Sequence, residues 1–185
     1  MNCAQLLRDI FFKISGKMSY RIKLRGQRSP DQKSPTVKAL LIAFIGASLA
    51  GASLGLLAES SQQALIMGSF GASIFLVMAV PDLPFAQPRN VLAGHFLASA
   101  IGLACFHFIG QGFFIMGFAL GLTTVAMLFF RVAHPPAGSN PIAIFLAGPD
   151  WGFLVTPTLA GALVIVVLGI AYNNIWAGRS YPKYW

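Results

Sequence analysis

Three stretches of the chain lack charged side chains for longer than a soluble fold tolerates. Lys, Arg, Asp and Glu are absent from residues 39–58, 60–81 and 90–130. Each run is long enough to span a membrane, since ~20 helical residues cross a hydrocarbon core of ~30 Å. Of all residues, 56% are hydrophobic and 10% are charged, and the mean hydropathy is +0.71. These properties exclude a soluble globular protein and predict an all-α, polytopic membrane helical bundle.

The basic residues are concentrated before the first apolar run. Nine of the thirteen Lys and Arg residues lie at or before Lys38. Positive charge beside a membrane domain favours a cytoplasmic position near anionic lipids. We therefore expect residues 1–35 to form a cytoplasmic tail that contacts lipids and not nucleic acid. Apolar residues at helical spacing between positions 6 and 18 predict an interfacial amphipathic helix within it.

Proline, glycine and polar clusters divide the remainder into about six elements. Helices are predicted at about 36–58, 91–109 and 152–173. A second apolar segment ends at residue 80, a fourth helix ends at residue 130, and a short apolar stretch follows at 138–148. Polar turns are expected at 59–63, 81–90 and 110–112. The transmembrane domain would span residues 36–175 and be followed by a short tail, residues 176–185.

The two halves of this domain, residues 36–110 and 111–175, show a weak internal repeat. Glycines 51 and 55 match glycines 117 and 121, Gly71 matches Gly138, and Pro81 matches Pro149. The offset stays at 66 to 68 residues (117 − 51, 138 − 71, 149 − 81). Three crossings per half would make the repeat inverted, as in many transporters. The glycine pairs at four-residue spacing predict close helix packing.

Six crossings agree with the charge distribution. They place Arg89, Arg131, Arg179 and Lys183 on the same side as the basic tail. The second and fifth elements would be irregular. Five crossings, with the 138–148 stretch dipping in and out, are the alternative.

The sequence of residues 131–141, Arg-Val-Ala-His-Pro-Pro-Ala-Gly-Ser-Asn-Pro, cannot form one smooth membrane helix. Its prolines remove backbone donors, and an arginine and a histidine in hydrocarbon need protein or water around them. Gly68, Ser69 and Gly71 in the second element, and Pro136, Gly138 and Ser139 in the fifth, could each open a helix and expose backbone N–H groups. Such groups compensate an anion for lost hydration. Two half-helices approaching from opposite faces would converge on one anion site.

His-Pro-Pro-Ala-Gly at 134–138 closely resembles the signature of the HPP family of integral membrane proteins. Gly-Ser-Phe-Gly-Ala-Ser at 68–73, the loop at 83–90 leading into Gly94 and His95, and Tyr172-Asn173 also fit. The resemblance runs from about residue 36 to the C-terminus. Ser139 and Asn140 stand where alanine or threonine is common in the family, so local polarity is expected to differ. Members in plants and cyanobacteria are linked to nitrite transport into chloroplasts or across the bacterial plasma membrane, so the resemblance implies a transporter, with nitrite as the first candidate solute.

The candidate substrate-binding and translocation residues combine the helix openings with nearby ionisable and polar groups. They are His134, Pro135, Pro136, Gly138, Ser139, Asn140, Gly68, Ser69, Gly71, Ser73, Arg89, Asn90, His95 and Arg131. His134 has a second interpretation as a helix cap, and Arg89 and Arg131 have one as topology anchors. We expect His107 to lie at the membrane interface, and Asp82 and Asp150 to bond to nearby backbone in turns.

Other functional classes are less well supported by the residues. No metal-ligand set, paired catalytic acids or nucleophile motif is present, so we expect neither an enzyme nor a cofactor or metal. A membrane scaffold, or a transporter of another small solute, is the alternative. Channel and carrier, and monomer and homo-oligomer, are all compatible with the sequence. We expect the bacterial plasma membrane, with the chloroplast envelope as the alternative.

Overall fold

The computed structural model of the protein describes residues 34–61 and 67–185. Within these residues the secondary structure is entirely helical, and six α-helices follow one another along the chain. They are α1 (Val37–Ser61), α2 (Gly68–Ala79), α3 (Pro88–Ala104), α4 (Phe113–Phe129), α5 (Asn140–Ala147) and α6 (Ala160–Asn173). Residues 1–33 of the predicted tail, which include the predicted amphipathic helix, lie outside the described residues.

Wider or tighter turns extend several helices. α3 continues through a π-type turn, Cys105–Ile109, and α6 is preceded by the turns Trp151–Leu154 and Val155–Leu159. A 3₁₀ turn, Pro135–Ser139, leads into α5. With these extensions, three helical segments are long and apolar enough to cross a membrane: Val37–Ser60, Pro88–Ile109 and Trp151–Asn173. Many large apolar side chains point outward, among them Phe44, Phe114 and Leu146, as a lipid-facing surface requires.

The short second and fifth helices were predicted from the sequence, and two boundaries differ from the prediction. α1 continues to Ser61 instead of ending at residue 58, so Glu59 and Ser60 belong to the helix and not to a turn. No glycine or proline stands there to end the helix. α3 begins at Pro88 instead of residue 91, because the first helical position tolerates the missing proline N–H.

Contacts between the ends of neighbouring helices define the chain directions. The start of α2 meets the turn that leads into α6, where the Thr158 hydroxyl approaches the Met67 sulfur at 3.9 Å. Their far ends meet where Asn173 Nδ2 donates to the Val77 carbonyl O at 3.0 Å. The two segments therefore run in the same direction. α1 runs opposite to them, because the Tyr172 hydroxyl donates to the carbonyl O of Ile42 near the start of α1, at 2.8 Å.

The segment from His134 to Gly148 runs parallel to α3. A methyl group on Gly94 would lie 2.7 Å from Cβ of His134, and one on Gly148 would lie 3.3 Å from the Phe106 ring. We call the end of the bundle that carries residues 80–87 the loop end, and the end that carries residues 110–112 the turn end. α5 runs toward the turn end, whereas α2 runs toward the loop end.

Both short helices begin at the same level, halfway along α3. Ser99 of α3 accepts a hydrogen bond from Asn140, the first residue of α5, at 2.9 Å. The same hydroxyl pairs at 3.0 Å with Thr158, which contacts Met67 at the start of α2. Two half-length helices thus start side by side in the middle of the bundle and leave in opposite directions.

The glycines that allow close packing are not the predicted pairs. A methyl group on Gly51, Gly55, Gly117 or Gly121 would meet nothing within 4 Å, so the prediction of close packing at these pairs is wrong for the described chain. Close contacts occur instead at Gly46, Gly94, Gly102 and Gly169. At Gly102 a Cβ would lie 3.1 Å from the backbone Cα of Pro141. This close approach brings α5 against α3.

The C-terminal residues fold back onto the loop end. Tyr181 is fully buried in the main apolar cluster, and its hydroxyl donates to the Ala86 carbonyl O at 2.7 Å. Burial raises the pKa of this hydroxyl, which keeps it protonated as a donor. The Lys183 N–H donates to Gln87 Oε1 at 2.8 Å, and its ammonium pairs with Asp82 at 3.0 Å. The C-terminus therefore stabilises the loop between α2 and α3.

Replacing Gly102 with alanine should separate α5 from α3. Because the new methyl group meets backbone and cannot be accommodated by a side-chain rotation alone, we expect a loss of about 1–3 kcal/mol in unfolding free energy. Gly51→Ala is the matched control and should be neutral or stabilising by up to ~1 kcal/mol, since alanine favours helix. Thermal unfolding in detergent measures both. Equal stability of the two variants would contradict the packing described for Gly102.

Tyr181→Phe should remove one buried hydrogen bond while keeping the ring. We expect a loss of about 1–3 kcal/mol, because the Ala86 carbonyl O is left without its donor. Tyr181→Ala should cost about 3–5 kcal/mol, since a large buried side chain is lost. The same unfolding assay applies. A wild-type transition in both variants would show that the C-terminal residues do not pack as described.

Candidate functional site

The two short helices begin without side-chain caps. Neither N-cap residue, Met67 of α2 or Ser139 of α5, makes a side-chain hydrogen bond to the first backbone N–H groups. α5 continues the preceding 3₁₀ turn, so the Asn140 N–H donates to the Ala137 carbonyl O. The N-terminus of a helix carries about half a positive elementary charge, concentrated on these groups. Since both helices start at the level of Ser99, the middle of the bundle has an electropositive character.

A serine bridges two buried histidines at this level. Ser73 Oγ of α2 lies 2.9 Å from Nε2 of His95 on α3 and 2.8 Å from Nε2 of His134, which precedes the Pro135–Ser139 turn. The ring centroids of the two histidines are 4.9 Å apart. All three residues have 0% exposure. Three separate segments of the chain therefore contribute to one enclosed polar cluster.

The cluster continues toward the turn end through Asn140. Its Nδ2 donates to His95 Nδ1 at 3.1 Å and to Ser99 Oγ at 2.9 Å. Ser99 then pairs with Thr158 at 3.0 Å. At the other end, His134 Nδ1 donates to the carbonyl O of Phe85 at 2.7 Å. An unbroken series of hydrogen bonds thus joins residues 84–86 to the turn that precedes α6.

We call Ser73, His95, Ser99, His134, Asn140 and Thr158 the polar cluster. Each member is at most 1% exposed, so its polar atoms rely on one another in place of water. Polar groups buried in a membrane protein are costly unless paired. The imidazoles and hydroxyls of the cluster can exchange protons, and nearby N–H and O–H groups can bind an anion.

Two atoms at the starts of the short helices have no hydrogen-bond partner among the described residues. They are Oγ of Ser69, the second residue of α2, and Oδ1 of Asn140, the first residue of α5. Ser69 is 7% exposed and Asn140 is 1% exposed. A buried polar atom without a partner is costly in a folded protein. Here one such donor group, Ser69 Oγ, lies near the polar cluster, and one such acceptor, Asn140 Oδ1, belongs to it.

Several predicted residues shape these helix starts without joining the cluster. Pro136 is buried and Gly138 is half-buried, whereas Gly68, Gly71, Pro135 and Ser139 are exposed. The Ser139 hydroxyl donates to the carbonyl O of Pro136 at 2.9 Å. These positions set the backbone path, and the side chains that face the cluster come from their neighbours.

The predicted arginines lie apart from the polar cluster. Arg89 is exposed, and its guanidinium approaches the carbonyl O of Phe130 at 3.4 Å. Arg131 is also exposed and adopts a left-handed backbone conformation with φ of 56°. Asn90 is buried and donates to the carbonyl O of Ala133 at 2.9 Å. These three residues fix the loop end, where the chain enters the His-Pro-Pro motif.

The three other ionisable residues singled out in the sequence, His107, Asp150 and Asp82, have structural partners. His107 Nε2 lies 3.0 Å from the Pro149 carbonyl O at the turn end, where the ring is exposed. Asp150 Oδ1 accepts from the Gly152 N–H at 2.8 Å, which confirms the predicted turn bond. For Asp82 the bond that the structure shows is the ion pair with Lys183, and not a bond to nearby backbone. Among the described residues, no group of three or more His, Cys, Asp and Glu side chains could hold a metal ion.

Sequence reasoning missed Ser99, Thr158 and the carbonyl O of Phe85. Ser99 carried a usable signal, because it follows His95 by four residues and therefore shares its face of α3. Thr158 lies in an apolar segment and gave no comparable local signal. A backbone carbonyl such as that of Phe85 cannot be recognised from residue type.

Comparisons with known proteins agree with a membrane-spanning chain. The family model described as HPP, transmembrane region, matches residues 32–182. Two proteins of Dictyostelium discoideum, each named only as a transmembrane protein, are 33% and 32% identical over 136 and 128 residues. The matches cover 69% and 65% of this chain but 48% and 41% of those proteins, so the chain spans less than half of their length. No solved structure matches. With its apolar helices and the match over most of its length, the chain is an integral membrane protein and belongs to the HPP family.

Proposed function

We propose that the protein transports a small monovalent anion across the membrane, with nitrite as the first candidate. The observation that carries the proposal is the meeting of two uncapped helix starts at the polar cluster. Interrupted helices with their N-termini at mid-depth are a recurring way to build anion sites in transporters. The imidazoles of His95 and His134 add groups that can become positive.

An anion that leaves water needs compensation for its lost hydration. Free N–H groups at a helix start provide hydrogen bonds and a positive field. The Ser69 hydroxyl, buried and without a partner among the described residues, provides a further donor. The surroundings are closely packed, with every member of the polar cluster at most 1% exposed. This packing favours a small solute over a large one.

The helix arrangement supports six crossings and an inverted repeat. α2 packs on α1 and α6, and α5 packs on α4 and α3. These contacts are equivalent if α1, α2 and α3 of the first half correspond to α4, α5 and α6 of the second. The 67-residue offset pairs the N-cap residue Met67 with His134 (134 − 67) and Ser73 with Asn140 (140 − 73). The latter two both contact His95. The chain also returns to the loop end near the start of α1, as an even number of crossings requires.

The loop end is the proposed cytoplasmic side. Arg89 and Arg131 are exposed there and would attract anions toward the path between the helices. α1 also begins at this end, with the basic Lys38 in its first turn, in agreement with positive-inside topology. We propose the bacterial plasma membrane as the location, with the chloroplast envelope as the alternative.

Uptake of nitrite into proteoliposomes that contain only this protein tests the proposal. Nitrite should accumulate faster than formate, nitrate or chloride, and faster than in protein-free liposomes. His134→Ala should lower the rate by about tenfold or more, because a hydrogen-bonding group that can become charged is lost beside the anion. His107→Ala should not change it, since His107 lies at the turn end away from the polar cluster.

Each result has a definite meaning. Selective nitrite flux that falls only in the His134 variant supports both the function and its site. Flux of another tested anion would keep the transporter and replace the solute. Absence of flux for all four anions in folded protein would contradict the proposal and favour a scaffold or a transporter of another solute.

A further inference from the structure

We infer that His95, Ser73 and His134 form one proton-binding site, and that one proton crosses with each anion. The inference rests on the proposed anion transport and names its coupling ion. The geometry that carries it is the hydroxyl of Ser73, which lies within hydrogen-bond distance of Nε2 of both rings, at 2.9 and 2.8 Å.

The hydrogen-bond partners determine the tautomer of each neutral ring. The carbonyl O of Phe85 only accepts, so Nδ1 of His134 carries its hydrogen and Nε2 is an acceptor. The Nδ2 of Asn140 only donates, so Nδ1 of His95 accepts and Nε2 carries the hydrogen. Ser73 therefore accepts from His95 and donates to His134.

The orientation of the Asn140 amide is supported by its contact with the backbone of α3. The same Nδ2 faces the carbonyl O of His95 at 3.4 Å, which can only accept. It also donates to Ser99 Oγ, whose hydroxyl pairs onward with Thr158. A reversed amide would set its oxygen against the His95 carbonyl O. The tautomers above follow from these contacts.

One added proton can be accommodated by rotating a single hydroxyl group. The proton binds Nε2 of His134 and makes it a donor to Ser73 Oγ, which then accepts from both rings. The Ser73 hydrogen turns to the carbonyl O of Ser69, which lies 3.1 Å away. Every N–H and O–H of the bridge again has an acceptor. One N–H bond forms when the proton enters, and the same bond breaks when the proton leaves on the other side.

A second proton does not fit. It would have to bind Nδ1 of His95, where the Asn140 amide already points a hydrogen at the ring. It would also place two cations on rings whose centroids are 4.9 Å apart, both fully buried. Like charges at this separation, away from water, repel strongly. The pair of histidines therefore takes up one proton.

No carboxylate on the packed segments of the described chain faces either ring. α2 and α5 carry no titratable side chain. The titratable or charged side chains on the other described segments are exposed or bonded elsewhere. Lys38, Glu59, Arg131 and Tyr184 are exposed. Asp82 pairs with Lys183, Arg89 with Phe130, His107 with Pro149, Asp150 with Gly152, Tyr172 with Ile42, Arg179 with Asn173 and Tyr181 with Ala86, and Cys105 lies in the α3 extension. The charge of a proton on His134 is therefore left for the transported anion to neutralise.

Proton and anion then stabilise each other. A lone proton on His134 is a buried positive charge beside two electropositive helix starts, which disfavour it. A lone monovalent anion would cross as a buried negative charge. Bound together they are neutral, and each raises the affinity of the site for the other by the same factor. Transport should therefore carry one proton per anion and no net charge.

Ser73→Ala tests the bridge while keeping both imidazoles. Nitrite uptake is measured in proteoliposomes over a series of external pH values, with the voltage set by potassium and valinomycin and with the protein-free rate subtracted. Wild-type uptake should rise as the external pH falls and should not respond to voltage. In Ser73→Ala the pH of half-maximal uptake should move about one unit lower. The protonated His134 ring loses its hydrogen-bond acceptor, which should lower its proton affinity about tenfold.

Thr124→Ala is the matched control. Its hydroxyl donates to the Leu120 carbonyl O at 2.9 Å on the exposed face of α4, so the variant loses a similar bond far from the polar cluster. It should keep the wild-type pH profile. A Ser73→Ala profile identical to that of this control, in folded protein, would overturn the inference. Voltage-driven nitrite uptake by the wild-type protein would also overturn it while leaving anion transport intact.

A second measurement needs neither a variant nor transport. Nitrogen NMR of the ¹⁵N-histidine-labelled wild-type protein in lipid bilayers should show hydrogen on Nδ1 of His134 and on Nε2 of His95 at high pH. Acidification should convert one of these two rings, and only one, to imidazolium. Opposite tautomers, or conversion of both rings together, would refute the proton site. The expected tautomers and the conversion of a single ring, if found without nitrite flux, would keep the proton site and reject the proposed function.

Discussion

The rest of the structure depends on one constraint: a backbone buried in a membrane protein must find partners for its N–H and C=O groups within the protein. An uninterrupted helix satisfies this by itself, but α2 and α5 both begin in the middle of the bundle. Their N-cap residues provide no side-chain cap, and the Asn140 N–H of α5 finds its partner in the Ala137 carbonyl O of the preceding turn. Neighbouring segments must therefore enclose these starts, and the polar cluster and the close contacts of α3 meet that need. The proposed anion site is a consequence of the same interruption.

Close helix packing and buried polarity support each other here. Gly94 and Gly102 let the segment from His134 to Ile144 approach α3 closely. At that distance Asn140 reaches both His95 and Ser99. A larger side chain at either glycine would separate these partners and leave polar atoms unpaired in an apolar interior. The loop end is held in a similar way, since Tyr181 packs in the core beneath the loop whose Phe85 carbonyl O accepts from His134.

Much of the helix plan could be predicted because its signals are local. Charge-free runs, glycine and proline clusters and the His-Pro-Pro break indicated six elements with a short second and fifth member, and α2 and α5 confirm the short pair. The pairing of Ser73 with His95 and His134 could not be predicted in the same way. These residues are 22 and 61 positions from Ser73, and their contact depends on which helices become neighbours. The glycine pairs failed as a guide because spacing shows that small residues share a face without showing what that face meets.

The central claim is that an anion binds where the starts of α2 and α5 meet. Solid-state NMR of the labelled protein in bilayers, with increasing nitrite at constant pH, tests it most directly. Our account predicts saturable shifts of the Ser69 backbone amide and the Asn140 side-chain amide, with no change at the Asn174 side-chain amide, which is bonded at 2.6 Å to the Tyr181 carbonyl O. Shifts confined to the exposed guanidinium groups of Arg89 and Arg131, or no saturable shift at Ser69 and Asn140, would contradict it.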